Sequence, residues 1–436
     1  MHIAVGAFAL LLRFLSWRQA AALATGALLF NALVLPRVGG RALLRPGERA
    51  GLAGTGIVFY PLAVLMLVIA LRERLDLAAA AWAILAAGDG AATIVGRALG
   101  GPTWPWNRAK SLAGTAAFIA FGSLAAVGLL SWTNLDAAVS PTATFIVTAS
   151  LLACVAAALV ETVPMRLDDN LSVPAVAGIV LWLASRATAG AWSEHAALAV
   201  ARWPWALAAN GAMAALAYAS RTVTPSGVVG GLLVGVAIFI GAGWQGWLML
   251  VASFAVAVAT SRLGLRKKAQ LGIAEARGGR RGAGNAFGNC GVAAVAALAA
   301  LVDPRPDLAL LVLVTGLAAG SSDTAASEIG KAFGSHTFVV PTFRRVPPGT
   351  SGAVSVEGTI AGIGAALVLA TFGAALGLVP ASAVVPVAAG CTLAAFVESY
   401  LGATLEHGGT LTNDVLNFIL TVVAAALALA FHGGLA

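Results

Sequence analysis

An all-α polytopic membrane fold is predicted by three observations. Of the 436 residues, 60% are hydrophobic and 10% charged, and mean hydropathy is +0.92, whereas soluble domains carry about 25% charged residues. Apolar runs close to the roughly 20 residues that cross a bilayer fill most of the chain. Few of them alternate with the period of a strand or end in turn signals, so helices are the expected spanning elements.

Taken in order, the run 3–15 carries Arg13, precedes Arg18 and lacks a cleavage site. It reads as a short or interfacial first helix and not as a removed signal peptide. Apolar runs then follow at 19–36, 52–71, 77–99, 111–131, 142–163 and 172–190. A second series lies at 204–220, 226–241, 244–262, 285–302, 307–321, 353–377, 381–402 and 413–431. The total is roughly thirteen to fifteen spans. Threading the chain back and forth puts the loops with Arg97, Arg108 and Lys110, then Arg262 to Arg281, then Lys331 to Arg345, on one side. The loop 132–141, without Lys or Arg, falls on the other, while Arg72, Arg74 and Arg305 dissent. The basic side is expected to be cytoplasmic, as in a bacterial inner membrane. Orientation and contact with anionic lipid account for most of the net charge of +8, so no nucleic-acid partner is implied. Cys154, Cys290 and Cys391 lie in apolar runs and read as packing residues.

One acidic cassette occurs twice. Asp89-Gly90-Ala91-Ala92-Thr93-Ile94-Val95-Gly96-Arg97-Ala98-Leu99-Gly100 matches, without a gap, Asp323-Thr324-Ala325-Ala326-Ser327-Glu328-Ile329-Gly330-Lys331-Ala332-Phe333-Gly334. Ser111, Gly114 and Thr115 correspond to Ser355, Gly358 and Thr359, and Val160-Glu161-Thr162 to Val397-Glu398-Ser399. Carboxylate–amide clusters follow, Asp168-Asp169-Asn170 in one half and Asn413-Asp414 with Asn417 in the other. This order predicts two tandem, parallel-oriented related halves, 1–203 and 204–436, divided in the Arg202–Trp205 stretch, with both cassettes facing the cytoplasm.

Of eighteen acidic residues, ten lie in or beside these motifs: Asp89, Glu161, Asp168, Asp169, Asp323, Glu328, Glu357, Glu398, Glu406 and Asp414. A carboxylate at the centre of a spanning helix costs about 2.5–3.5 kcal/mol on insertion scales. Such residues must face a polar cavity, the interface or a partner on a neighbouring helix. The combination suggests a magnesium–phosphate site, because Mg²⁺ takes one or two carboxylates plus phosphate oxygens and water. Candidate metal ligands are Asp89, Glu161 and Asp169 in the first half, with Asp168 beside them, and Asp323, Glu328, Glu398 and Asp414 in the second. Asn170, Asn413 and Asn417 can add neutral oxygens. Arg97, Arg108 and Lys110, and Lys331, Arg344 and Arg345, offer phosphate partners. Gly96, Gly114, Gly330 and Gly358 allow either close approach to a phosphate or close helix packing.

Arg280-Arg281 with Asn285 and Asn289 open an apolar run as either a nucleotide contact or a topogenic loop. Gly231-xxx-Gly235 reads as a helix-packing motif, and His195, His336 and His407 lack metal-ligand spacing. Asn170-Leu171-Ser172 matches a glycosylation triplet but sits inside the acidic motif. No P-loop, HExxH pair or nucleophile elbow is present.

The first half resembles the dolichol kinase and phytol kinase group of membrane prenol kinases over about residues 50–190. The resemblance rests on Tyr60-Pro61, Ala87-Gly88-Asp89-Gly90 with Val95-Gly96-Arg97, and Trp106-Asn107 with Lys110-Ser111 and Gly114-Thr115. Glu161 and Asp168-Asp169-Asn170-Leu171-Ser172-Val173-Pro174 complete it, while the Arg-Lys-x-x-His element of that group is absent and Arg41 to Arg49 stand in its place. The second half, residues 220–436, is similar to the membrane family that contains plant phytyl-phosphate kinase. It does so through Thr224-Pro225-Ser226-Gly227, Arg280-Arg281, Asn289, the Ser322–Lys331 stretch, Pro348–Gly352, Ser355–Thr359, Glu398-Ser399, Gly402-Ala403 and Asn413-Asp414.

Together these resemblances imply a bifunctional lipid kinase. A polyprenol of the phytol or geranylgeraniol type would be phosphorylated to the monophosphate and then to the diphosphate, with Mg²⁺ and a nucleoside triphosphate. The donor implied is CTP, with ATP or UTP as alternatives. Asp89 and Asp169 would hold the metal, Lys110 and Arg97 would meet phosphate, and Asp168 would orient or deprotonate the hydroxyl. Asp323, Asp414 and Lys331 would act in the second half, with Arg344 and Arg345 as extra cations for the anionic acceptor. Ser111, Thr115, Ser355, Thr359, Arg280, Arg281 and Asn289 complete the expected nucleotide or phosphate contacts. Two other readings remain: a transporter or flippase of prenyl-lipid phosphates, and a cytidylyltransferase making a CDP-lipid.

Overall fold

Backbone N–H and C=O groups in hydrocarbon must be satisfied within the segment that carries them, and the long apolar runs accordingly form helices. A computed structural model describes residues 2–39, 56–105, 107–135, 141–163, 168–186, 189–273, 279–302, 306–340, 342–406 and 412–435. Arg41 to Arg49, Trp106, Arg305 and His407 lie outside the described residues. The chain forms two compact units, Met1–Arg186 and Ala187–Ala436.

In the first unit α1 (His2–Gly6) runs into a 3₁₀ stretch, Ala7–Arg13. A capping box opens α2 (Trp17–Leu29): Ser16 Oγ accepts from the Gln19 backbone N–H and Gln19 Oε1 accepts from that of Ser16. A π-helical stretch, Phe30–Val34, leads into α3 (Leu35–Gly39). Next come α4 (Gly56–Ala70) and α5 (Leu75–Leu99), whose middle, Ile84–Asp89, is also π-helical. A short antiparallel ribbon, β1 (Thr103–Trp104) and β2 (Asn107–Ser111), leads into α6 (Leu112–Thr133), α7 (Ala143–Thr162) and α8 (Asp169–Arg186). Helix α5 packs on α4, α6 and α8, α7 packs between α6 and α8, and α8 also meets α4. The core is built on the buried Leu77–Leu85 run with Phe118, Leu130, Cys154 and Leu181.

The second unit begins with α9 (Ala189–Ala219), α10 (Pro225–Arg262) and the short α11 (Leu265–Gln270). It continues with α12 (Ala283–Val302), α13 (Pro306–Phe333), α14 (Val356–Ala375), α15 (Val384–Leu401) and α16 (Asn413–Leu435). A three-stranded ribbon of β3 (Thr337–Val339), β4 (Arg344–Arg345) and β5 (Ala353–Ser355), in order β4-β3-β5, separates α13 from α14. Helix α13 packs on α12, α14 and α16, α15 packs between α14 and α16, and α16 meets α12. That neighbour pattern is the one α4–α8 make in the first unit.

The fold is an all-α polytopic membrane protein. Among the described residues nine helices have the length and apolarity to cross a membrane, fewer than the thirteen to fifteen spans expected. Expected spans 3–15 and 52–71 correspond to shorter apolar helices, Ala4–Arg13 and Ile57–Ala70. Expected spans 226–241 and 244–262 are the two helical segments of α10, separated by a break at Gly243 (φ 64°). At the break Arg202 Nη1 donates to the carbonyls of Ile240 (2.7 Å) and Gly241 (3.1 Å), which have lost their helical partners. Arg202 thus lies inside α9, which runs unbroken through the Arg202–Trp205 stretch; the compact units divide earlier, after Arg186.

Candidate active site

In the first unit three chain segments converge on one cation. Lys110, on β2 just before α6, donates from Nζ to Glu161 Oε1 (2.8 Å) and to Asp169 Oδ2 (2.8 Å). Glu161, on the last turn of α7, is 5% exposed, Lys110 28% and Asp169 42%, so the cluster opens to solvent on the Asp169 side. Asp169 lies in the first turn of α8, where the helix dipole favours an anion. Asn107 ties β2 to the end of α7 through Nδ2 to the Thr162 carbonyl (3.1 Å), which fixes Lys110 beside Glu161. Burial acts to lower the Lys110 pKa, but Glu161 and Asp169 outweigh it and the net shift is upward. Asp89, on the π-helical stretch of α5, acts electrostatically on Glu161 and on the Tyr60 hydroxyl. Tyr60 is buried and accepts from Trp82 Nε1 (2.9 Å).

The second unit builds a different cluster. Glu328 is 2% exposed, with Oε2 accepting from Lys268 Nζ (2.5 Å) and Oε1 from Lys331 Nζ (2.9 Å). Lys268, on α11, is 1% exposed and also donates to the Ser261 carbonyl (2.8 Å). The Ser261 hydroxyl lies 3.2 Å from Arg281 Nη2, which links this cluster to the start of α12. Around these charges the two units share a frame. Ser111 caps α6 by accepting from Gly114 N–H (3.1 Å), and Ser355 caps α14 by accepting from Gly358 N–H (3.0 Å). Thr115 and Thr359 bond back to the carbonyls of Ser111 and Ser355. A Cβ at Gly96 would lie 3.0 Å from Ser111 Oγ, and one at Gly330 3.0 Å from Ser355 Oγ. Beneath this contact Gly88 faces the Phe118 ring, whereas in the second unit Ser322 faces Gly362. The large and small partners have changed sides of the same helix pair.

Several expected roles are revised by this geometry. Asp168 Oδ1 accepts from the Asn170 backbone N–H (2.9 Å) and from Asn170 Nδ2 (2.7 Å), so it caps α8 and does not stand free as a base. Both oxygens of Glu328 accept from lysines, Oε2 from Lys268 and Oε1 from Lys331. Gly96, Gly114, Gly330 and Gly358 pack helix against helix and do not line an open cradle. Arg97, Arg344 and Arg345 are exposed, and Arg280 donates to the Val223 carbonyl (3.1 Å). Glu357 Oε1 accepts from Ser335 N (3.0 Å) and Oγ (2.5 Å), which closes the end of the ribbon.

Among the described residues no three His, Cys, Asp or Glu side chains converge as a metal cage. Single oxygens are nevertheless available. Asn289 Oδ1 and Asn417 Oδ1 are buried without a hydrogen-bond partner. Asn417 lies one turn along α16 from Asp414, whose carboxylate faces Gly284 and whose carbonyl faces Gly288, whereas Asn289 Oδ1 faces Gly320. Glu398 lies on the last turn of α15, and Asn413 and Asp414 on the first turn of α16.

Sequence reasoning missed Lys268, which stands in the run Arg266-Lys267-Lys268 and looks like any orienting basic loop. It also misread Gly231-xxx-Gly235. Gly235 does pack tightly, against the Asn210 carboxamide, but a Cβ at Gly231 would meet nothing within 4 Å. Gly231 lines a cavity between α9, α10, α12 and α13.

Comparison with known proteins places this geometry in a family. A family model described as integral membrane protein DUF92 matches residues 208–425. An uncharacterized membrane protein of Synechocystis sp. is 42% identical over 238 residues, covering 52% of this chain and 91% of that one. The chloroplastic protein VTE6 of Arabidopsis thaliana is 35% identical over 208 residues, 45% of this chain and 61% of that one. The probable phytol kinase 3 of Glycine max, also chloroplastic, is 36% identical over 121 residues, 27% of this chain and 38% of that one. No solved structure matches. By the extent of the family match and of the Synechocystis relative, the chain belongs to the integral membrane protein family DUF92.

Proposed function

We propose that this protein is a membrane-embedded kinase of prenol-type lipids with two related phosphoryl-transfer centres, one in each unit. The first would convert a prenol to its monophosphate and the second the monophosphate to the diphosphate. The observation that carries the two-step form is the opposite formal charge of the two clusters: one lysine between two carboxylates, against one carboxylate between two lysines. A neutral alcohol suits the first. An acceptor that is already an anion needs the surplus cation of the second. The kinase class is supported by the phytol kinase relatives and by a farnesol kinase of Arabidopsis thaliana, 32% identical over 147 residues.

Phosphoryl transfer is chiefly positioning and electrostatic stabilisation. In the first unit Lys110, kept protonated by its carboxylates, offers fixed positive charge to the transferring group. The prenol oxygen attacks the terminal phosphorus of the nucleotide, and the bond to the bridging oxygen breaks. The nucleoside diphosphate leaves, and the hydroxyl proton passes to the exposed side of Asp169, the role expected of Asp168. Asp89 and Glu161 supply the surplus negative charge that suits a hard divalent cation. In the second unit Asp414 with the unpartnered Asn417 oxygen would hold such a cation, with Asp323 on the duplicated cassette. Bound there, magnesium would supply neutralisation of the donor's phosphate charge. Lys331 would meet the acceptor phosphate. CTP is the proposed donor, and the centres are proposed to face the cytoplasm from the inner membrane.

Labelled CTP with phytol or phytyl phosphate, supplied to purified Asp89→Asn and Asp323→Asn variants, tests this. The expected result is a loss of about 10²-fold or more in the first step alone for Asp89→Asn, and in the second alone for Asp323→Asn. Loss of both steps in each variant would refute separate centres. Release of pyrophosphate in place of CDP would identify a cytidylyltransferase, and nucleotide-independent lipid movement in proteoliposomes a transporter.

A further inference from the structure

We infer that the cavity between α9, α10, α12 and α13 is the seat of the isoprenoid tail of the second unit's substrate, with Arg281 at the phosphate end and Gly231 at the middle of its wall; this rests on the kinase reading above. The cavity holds about 950 Å³ including its open mouth. Its wall is mostly Ala, Val, Leu, Met and Phe, with a few placed polar groups, as ligand pockets generally are. Those polar groups are unevenly distributed. Arg281, just before α12, and Asn285 and Asn289 on it follow one another at four-residue spacing, and all three line the cavity. Asn285 Oδ1 caps the helix by accepting from Gly282 N–H (3.1 Å), and Asn289 Nδ2 donates to the Asn285 carbonyl (3.0 Å). Asn289 Oδ1 is left buried and without a partner beside Gly320, itself a wall residue.

Arg281 joins this cavity to the lysine cluster. Its guanidinium bonds the Ser261 hydroxyl, and the Ser261 carbonyl holds Lys268, the partner of Glu328. A phosphate at the Arg281 mouth therefore lies against the cationic cluster, while an apolar chain attached to it has a lined path inward past Gly231 and Val234. Trp247 and Asn210 line the opposite end, where Trp247 Nε1 donates to Asn210 Oδ1 (3.2 Å). A headgroup-binding cleft alone would not need an apolar wall of this extent.

Gly231 gives the means to test this, because it lines the cavity and a Cβ there meets nothing within 4 Å. The experiment is a graded series, Gly231→Ala, Gly231→Leu and Gly231→Phe, in the full-length detergent-solubilised protein. Two readouts are taken for each: the rise in Tm caused by geranylgeranyl phosphate, and kcat/KM for phosphorylation of dimethylallyl, farnesyl and geranylgeranyl phosphates. Ligand-free Tm reports whether each variant folds. The expected result is a Tm rise that shrinks from Ala to Phe, and in Gly231→Phe a loss of at least tenfold in kcat/KM for the two long acceptors with little loss for the five-carbon one. A Tm rise of undiminished size in Gly231→Phe, an equal rise from phosphatidylglycerol, or equal losses for all three acceptors would overturn the inference. A graded Tm response with no turnover of any prenyl phosphate by the unaltered protein would leave the tail site standing and sink the kinase reading instead.

Discussion

The cluster at Lys110 and the cluster at Lys268 are made of the same residue types in inverse proportion. Their frames agree closely: a serine-capped helix, a threonine bonding back to that serine, and a glycine pair that brings the capped helix against the cassette helix. Their charges come from different places. Lys110 stands on the ribbon one residue before Ser111, where the second unit has Val354 before Ser355. Glu328 stands five residues into its cassette, where the first unit has Ile94, 61% exposed. A helical frame thus fixes where a centre forms but leaves its sign to a few side chains. A change of sign costs little in fold.

The largest effect expected in breaking this comparison is at Lys268. Replacing it with Met leaves Glu328 in a dry environment with one lysine fewer, and loss of one partner of a buried pair costs about 3–5 kcal/mol. The Tm of Lys268→Met in detergent should fall well below that of Lys110→Met, whose cluster opens to solvent through Asp169. Equal falls would mean that the clusters do not differ in burial. Next come the glycines. A Cβ at Gly358 would lie 2.5 Å from the Ala326 carbonyl oxygen, against 3.1 Å from Ala92 for Gly114. Overpacking costs about 1–3 kcal/mol, so thermal unfolding should rank Gly358→Ala as the more damaging. Removing either serine cap should cost about 1 kcal/mol, alike in Ser111→Ala and Ser355→Ala; a clear inequality would show that the two frames carry unequal load.

The smallest effect concerns pH. Because the folded pKa of Lys110 is raised above the unfolded value of about 10.4, its contribution to stability is complete below that pH and is lost only as pH rises through the folded value. Chemical unfolding of the wild type between pH 7 and 9 should therefore show no loss attributable to this residue. A loss in that window that disappears in Lys110→Met would contradict the ion-pair assignment.

Much of this was legible because charge is scarce in the chain. The repeated Asp, the Ser-x-x-Gly-Thr cap and the Val-Glu-Thr turn stand out against an apolar background, and the structure gathers Lys110, Glu161 and Asp169 from three of the marked segments. What could not be read is what depends on burial. Lys268 looks like a topogenic lysine until α11 folds it under α13. Gly231 and Gly235 share one motif, yet one is covered by Asn210 and the other faces empty space. Asp168 and Asp169 are adjacent acids, and only the start of α8 makes the first a cap and the second an ion-pair partner. Spans 226–241 and 244–262 end at the Gly243 break, where Arg202, distant in sequence, satisfies the carbonyls of Ile240 and Gly241.

The π-helical stretch Ile84–Asp89 has a consequence for how the first unit tolerates insertions and deletions. A π segment holds more residues per turn than the helix around it, so it stores a local excess of chain. Deleting one residue elsewhere in a helix turns everything beyond it by about 100°. Here the same deletion can be absorbed by tightening the stretch to ordinary α geometry, which leaves Gly96 in register with Ser111 and moves only Asp89. Helix α13 has no such reserve, so shortening it by one residue before Asp323 would rotate Gly330 away from Ser355 and take the whole cassette with it.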